Sequence, residues 1–194
     1  MNNEIYLSVV LKDDILIDMD KYPSFVKRDE SKKAYSLLLN MANYLGLSIN
    51  IDDICCGNNG KPYIENSNIK FNYSHSKKYI ACCLAFVDVG VDIEDEFDIS
   101  RDASSLYLKG VHSNFRKAFV TKEAYCKLLG YFDDDFFKKV DIKRINNNSY
   151  SISNDKYDLV LYYDGDVKKV NLILWINSFF WYNGDIKFLE VFLC

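Results

Sequence analysis

Residues 79–94 read YIACCLAFVDVGVDIE. The stretch Tyr79–Val87 is uninterrupted apolar sequence of strand length, the pattern of a strand covered on both faces. The following VGVDIE (89–94) alternates strictly, so its two faces differ: Val91 and Ile93 share one, Asp92 and Glu94 the other. Upstream, EIYLSVVL (4–11) and IKFNYS (69–74) read as strands. Between them, residues 29–46 predict a helix with Asp29 as N-cap and Gly46 as stop. Tyr35, Leu38, Leu39, Ala42 and Leu45 recur there at three- and four-residue steps. Downstream, a second helix is expected from Asn114 to Leu129, ended by Gly130. Four strands follow, at 150–153, 157–163, 170–176 and 186–192, with hairpin turns expected at Asp164–Gly165 and Asn183–Gly184. The order predicts an α+β fold of two similar lobes, 1–88 and 89–194, each a small antiparallel-rich sheet packed with a long helix about a pseudo-twofold.

The 194-residue chain is 49% apolar and 27% charged, the balance of a globular protein, and carries a net charge of −4. An acidic chain without a basic stripe argues against nucleic-acid binding. No run of about 18 apolar residues is present, so no membrane span is expected. The opening MNNEIYLSVV lacks a basic segment and carries Glu4, which argues against a signal peptide and for a cytoplasmic protein. In such a reducing compartment Cys55, Cys56, Cys82, Cys83, Cys126 and Cys194 are expected as thiols. The adjacent pairs lack zinc-ligand spacing.

Three segments carry residues with chemistry. Asp92 and Glu94 lie about 6.6 Å apart along one strand face. They are either a solvated acidic strand end or, being oxygen ligands free of thiols, a site for Mg²⁺ with phosphate and water. In the second helix Arg116, Glu123 and Lys127 fall on one flank of an apolar face assigned to Phe115, Ala118, Phe119, Cys126 and Leu129. Glu123 and Lys127 form an i,i+4 pair in the favourable order, while Lys122 intrudes on the apolar face. Ser74 and His75 end a strand and point oppositely, which speaks against a nucleophile pair and leaves either a structural corner or a phosphate contact. The turn Gly57-Asn58-Asn59-Gly60-Lys61-Pro62 lacks the spacing of a P-loop.

Taken in order, GKP (60–62), FNYSHS (71–76), GVDIE (90–94) and FVTKEAYCK (119–127) resemble the signature blocks of the 4′-phosphopantetheinyl transferase superfamily. The length resembles the two-lobe, monomeric, surfactin-synthetase-activating type. The resemblance implies transfer of 4′-phosphopantetheine from coenzyme A to a serine of an apo acyl or peptidyl carrier protein, releasing adenosine 3′,5′-bisphosphate. It implies Mg²⁺, or Mn²⁺ in its place, held by Asp92, Glu94 and Glu123, with Glu123 also a candidate base. Lys127 resembles the lysine that grips the pyrophosphate. Ser74 and His75 resemble a coenzyme A phosphate contact, and Gly60, Lys61 and Pro62 the segment against the adenine. Lys33, assisted by Lys21, stands where the family has a basic residue for the 3′-phosphate. Phe119 replaces a common Trp, and Tyr131 and Phe132 replace a common glycine after Gly130. Two other readings stand beside this one: a non-catalytic relative that binds coenzyme A or a carrier, and a Mg²⁺-dependent nucleotide pyrophosphatase. Arg116, Lys117 and Lys109 are candidate docking cations for the carrier.

Overall fold

The computed structural model describes residues 3–15, 17, 22–23, 25–98, 100, 106–108, 111, 113–131, 133–175 and 186–192. The fold is α+β, with two main sheets. In the first lobe β1 (Glu4–Leu11) is followed by α1 (Asp29–Tyr44), a short hairpin of β2 (Ile54–Cys56) and β3 (Pro62–Ile64), then β4 (Lys70–His75) and β5 (Tyr79–Ala85). In the second, β6 (Val89–Glu94) is followed by α2 (Phe115–Leu129), α3 (Asp134–Lys139), β7 (Asn148–Ser153) and β8 (Asp158–Tyr163). The strand orders β1-β5-β4 and β6-β8-β7 are the same motif used twice, with all four pairings antiparallel.

The chain then returns to the first sheet. β9 (Lys169–Trp175) pairs parallel with β1, and β10 (Ile186–Phe192) pairs antiparallel with β9. The units expected at 1–88 and 89–194 therefore share a five-stranded sheet. Asp164–Gly165 is a crossover between sheets and not the expected hairpin turn, since β8 and β9 belong to different sheets. Gly165 has φ +104°, and the Asp164 amide donates to the Asp88 carbonyl at 3.0 Å. The Asn183–Gly184 turn lies outside the described residues.

The alternation of each strand explains the layering. Tyr6, Val10, Ile80, Cys82 and Leu84 face α1, where they meet Tyr35, Leu37, Leu38 and Met41. Their neighbours Ile5, Leu7, Ala81, Cys83 and Ala85 face the second sheet and pack on Val89, Val91, Ile93, Leu159 and Leu161. Both faces of β5 are thus dry, which is why its sequence is a continuous apolar run. Each such fully buried aliphatic side chain stabilises the fold by about 1.5–3 kcal/mol. On the far face of β8, Val160 and Tyr162 meet Val120, Ala124 and Leu128 of α2. The layers run α1, first sheet, second sheet, α2.

Two helix details differ from expectation. Arg28 takes the N-cap position of α1; Asp29 is its first helical residue and pairs with Lys32 at 2.8 Å. In α2 the buried residues are Ala118, Val120, Lys122, Ala124, Cys126 and Leu128, whereas Leu129 is exposed. The buried face is rotated from the one assigned by hydropathy, since Val120, Ala124 and Leu128 meet the sheet.

Gly90 explains the rotation. A Cβ at this position would sit 2.1 Å from the Leu128 nitrogen and 2.4 Å from the Ala124 carbonyl oxygen. The helix backbone lies directly on the strand, which only glycine allows. Gly90→Ala is expected to lose about 3 kcal/mol or more, since helix and strand must separate; urea denaturation measures this, and an unchanged midpoint contradicts the packing.

A second tie closes the lobe. Arg116 donates to Asp158 at 2.6 Å, to the Asp95 carbonyl at 2.9 Å and to the Asn154 carbonyl at 3.0 Å. Asp158 is buried and also accepts from Ser153. The guanidinium is committed inside the fold and is not a free docking cation. Arg116→Ala leaves Asp158 as a buried uncompensated charge and should cost about 3–5 kcal/mol in a denaturation experiment.

Candidate functional site

The two sheets meet edge to edge along β4 and β6. Among the described residues no ladder joins β4 to β6, and side chains bridge the seam between the two sheets. Asn72 Oδ1 accepts the Val91 amide at 2.9 Å, and Asp95 accepts the amides of Lys77 and Lys78, each at 3.0 Å. A cleft opens along this seam, lined by Ser31, Gly60, Pro62, Asn72, Tyr73, Ser74, His75, Asp92, Glu94, Glu123 and Lys127.

The close approach at Gly90 sets its chemistry. With α2 resting on β6, the face of the strand that carries Asp92 and Glu94 looks onto the helix flank that carries Glu123 and Lys127. Asp92 is only 1% exposed, so it is not a solvated strand end. Its Oδ1 accepts from Ser74 at 2.5 Å and from the Lys127 ammonium at 2.6 Å. Lys127 also receives support from Ser74 Oγ at 2.9 Å and stands 3.7 Å from Glu123. Asp92 Oδ2 is buried with no hydrogen-bond partner.

Three carboxylates thus share the cleft with Lys127. Burial, then repulsion from Asp92, Glu123 and Asp95, pushes the Glu94 carboxyl up to about 8. Burial and Asp92 raise Glu123 as well, against the opposing pull of Lys127. Burial, then Lys12 and Lys127, lowers His75. These shifts describe a site with more negative charge than the buried Lys127 ammonium offsets, and Asp92 adds a buried oxygen without a partner. The donor set suits a hard divalent cation. As the side chains stand, among the described residues no three acidic, histidine or cysteine groups are arranged to hold a metal ion. The Lys127 ammonium takes that place between Asp92 and Glu123.

Other residues singled out in the sequence fall elsewhere. Lys61 turns away from the cleft that Gly60 and Pro62 line; its ammonium donates to the Val89 and Leu128 carbonyls. Lys33 donates to the Lys12 carbonyl at 2.6 Å and does not line the cleft. Lys21 and Lys109 lie outside the described residues. Lys122, 4% exposed, donates to the Tyr107 carbonyl at 2.6 Å and sits 4.9 Å from the Phe137 ring centroid. Phe119 stacks between Phe97 and Phe137, and forms with Tyr107, Cys126, Tyr131 and Phe137 a second, aromatic groove that also reaches Glu123. Sequence reasoning passed over Asn72 and Ser31. An asparagine on the inward face of an apolar strand was the available signal for the first; nothing distinguishes Ser31 in a charged helix start.

The chain is 30% identical over 134 residues to the 4′-phosphopantetheinyl transferase gsp of Aneurinibacillus migulanus. The alignment takes in 59% of this chain and 56% of that relative, so the chain matches little more than half of its length. No family model matches the chain. No described helix is long and apolar enough to cross a membrane.

The Lys127–Asp92 pair yields a direct stability test. Lys127→Met strands a buried carboxylate and should cost about 3–5 kcal/mol, whereas Asp92→Asn leaves Lys127 beside Glu123 and should cost less. The double variant should recover most of the sum, measured as coupling in a denaturation cycle; additive losses contradict the pairing.

Proposed function

We propose that the protein is a 4′-phosphopantetheinyl transferase of the two-lobe type, moving phosphopantetheine from coenzyme A to a serine hydroxyl of an apo carrier protein. The observation that carries this reading is the buried, partnerless Asp92 Oδ2 in a cleft shared with Glu94, Glu123 and Lys127. The identity to the Aneurinibacillus migulanus transferase supports it. Asp92, Glu94 and Glu123 would hold Mg²⁺, with Mn²⁺ as the substitute. When bound, the cation would supply Lewis-acid stabilisation of the charge that grows on the departing phosphate.

The chain's own residues supply the rest. Gly60, Pro62, Tyr73, Ser74 and His75 line the cleft; the first three would face the adenine and the last two the phosphates. Among the described residues Lys127 is the ammonium that pairs with Asp92 and Glu123, and it would turn from Asp92 to grip the diphosphate. Asp92, released from the ammonium, would be one of the residues that hold the metal. Glu123, which lines the cleft beside Lys127, accepts the serine proton directly or through one water. The serine oxygen then bonds to the phosphorus that bears pantetheine. The bond from that phosphorus to the bridging oxygen breaks, and adenosine 3′,5′-bisphosphate leaves with the electron pair.

The departure at Phe119 bears on turnover. Its ring is held by two other aromatics, so the wall beside Glu123 persists without an indole donor. A pyrophosphatase reading differs in having water as the nucleophile. A binding-only relative would leave coenzyme A intact.

Incubation with coenzyme A, Mg²⁺ and a panel of apo carrier proteins should add one phosphopantetheine to the serine of at least one carrier, read by mass spectrometry. Adenosine 3′,5′-bisphosphate formed without a carrier supports the pyrophosphatase instead, and tight coenzyme A binding without any product supports the binding-only relative. Glu123→Gln should lower kcat by about 10²–10⁴-fold. Chelation of divalent ions should abolish transfer, and added Mg²⁺ or Mn²⁺ should restore it.

A further inference from the structure

Lys61 stands between two residues of the cleft wall, yet its side chain leaves them. The stem runs past Gly130, where a Cβ would lie 3.6 Å from the Lys61 Cδ, an ordinary contact. The ammonium then crosses from the first lobe to the second, donating at 2.8 Å to the Leu128 carbonyl and at 3.1 Å to the Val89 carbonyl. Both acceptors need an outside donor. Leu128 O is one of the last carbonyls of α2, for which the helix itself has no N–H. Val89 lies on the same strand edge as Val91, whose amide is likewise met by a first-lobe side chain, Asn72. A cation at a helix C-terminus is also stabilised by the aligned peptide dipoles. Asp88 lies close enough to favour the charged ammonium, against the burial that disfavours it.

We propose that Lys61 is a positioning residue, a clamp that fixes the Gly60–Pro62 wall of the cleft relative to Lys127 and does not itself contact substrate. Leu128 adjoins Lys127, and Val89 is three residues from Asp92, so one ammonium ties the adenine wall to both the helix and the strand of the reacting centre. This assignment departs from the coenzyme A contact that the sequence resemblance implies for Lys61. It rests on the cleft binding coenzyme A, as proposed above, but the clamp itself is a property of the protein alone.

Two measurements test it. Reductive methylation of the free protein, read by peptide mass spectrometry, should leave Lys61 far slower to react than the exposed Lys77. A Lys61 that reacts as fast as Lys77, and is protected only once coenzyme A is added, overturns the clamp. In the carrier assay, Lys61→Met keeps the stem and removes the donor. It should lower kcat by about tenfold to a hundredfold through misplacement of Lys127, while the affinity for adenosine 3′,5′-bisphosphate changes little. Lys61→Arg, which restores donors to the carbonyls, should recover much of the loss. The opposite split, weakened bisphosphate affinity with kcat unchanged, overturns the clamp. Slow methylation of Lys61 in a protein that transfers nothing keeps the clamp and sinks the transferase reading, so the two failures are separate.

Discussion

A helix backbone in contact with a strand backbone is the constraint from which the rest of the structure follows. Gly90 admits α2 onto β6 so closely that no side chain fits between them. Ala124, flanked by Val120 and Leu128, therefore sits at the centre of the helix face that meets the sheet, and Phe119 turns to an aromatic groove. The same approach puts residues two and four positions beyond Gly90 opposite residues on the flank of α2. Asp92 and Glu94 thus meet Glu123 and Lys127 because a glycine precedes them, and the site is a consequence of packing.

The second determinant is the seam between sheets. Two sheets of the same strand order meet at β4 and β6, edges that would otherwise expose unpaired backbone groups. The protein fills the seam with side chains: Asn72 on Val91, Asp95 on the Lys77 and Lys78 amides, Lys61 on Val89. A seam bridged by side chains, unlike one closed by a ladder, leaves room for a cleft. The negative charge gathered in it is held at a cost, visible in the raised pKa of Glu94 and Glu123 and in the unpartnered oxygen of Asp92. Groups kept in so unfavourable a state accord with a site built for a cationic occupant and its phosphate ligands.

Much of this was legible in the sequence. The strands around residues 4–11, 79–87 and 89–94 carry period-two or wholly apolar signals that local chemistry fixes, and α1 stops at Tyr44, two residues before Gly46 with its φ of +68°. Asp92 and Glu94 share a face because a strand has no other choice. What the sequence could not reveal depends on contacts far apart in the chain. Hydropathy placed the buried face of α2 on Phe119 and Leu129, since nothing local says that Gly90 awaits the helix. The return of β9 to pair with β1 is set by the first sheet's open edge, not by the Asp164–Gly165 turn that looked like a hairpin. The resemblance implies Lys61 against the adenine, and Arg116 reads as a candidate docking cation; their acceptors are carbonyls and a carboxylate supplied by other elements.

The account turns on whether the carboxylates of β6 and α2 gather one divalent ion against the diphosphate of coenzyme A. Phosphorus resonance of bound coenzyme A with substoichiometric Mn²⁺ measures this directly, because paramagnetic broadening falls off steeply with distance. The account predicts strong broadening of the two pyrophosphate resonances, weaker broadening of the 3′-phosphate, and loss of both effects in Asp92→Asn. Equal broadening of all three phosphates, or broadening that survives Asp92→Asn, would contradict it.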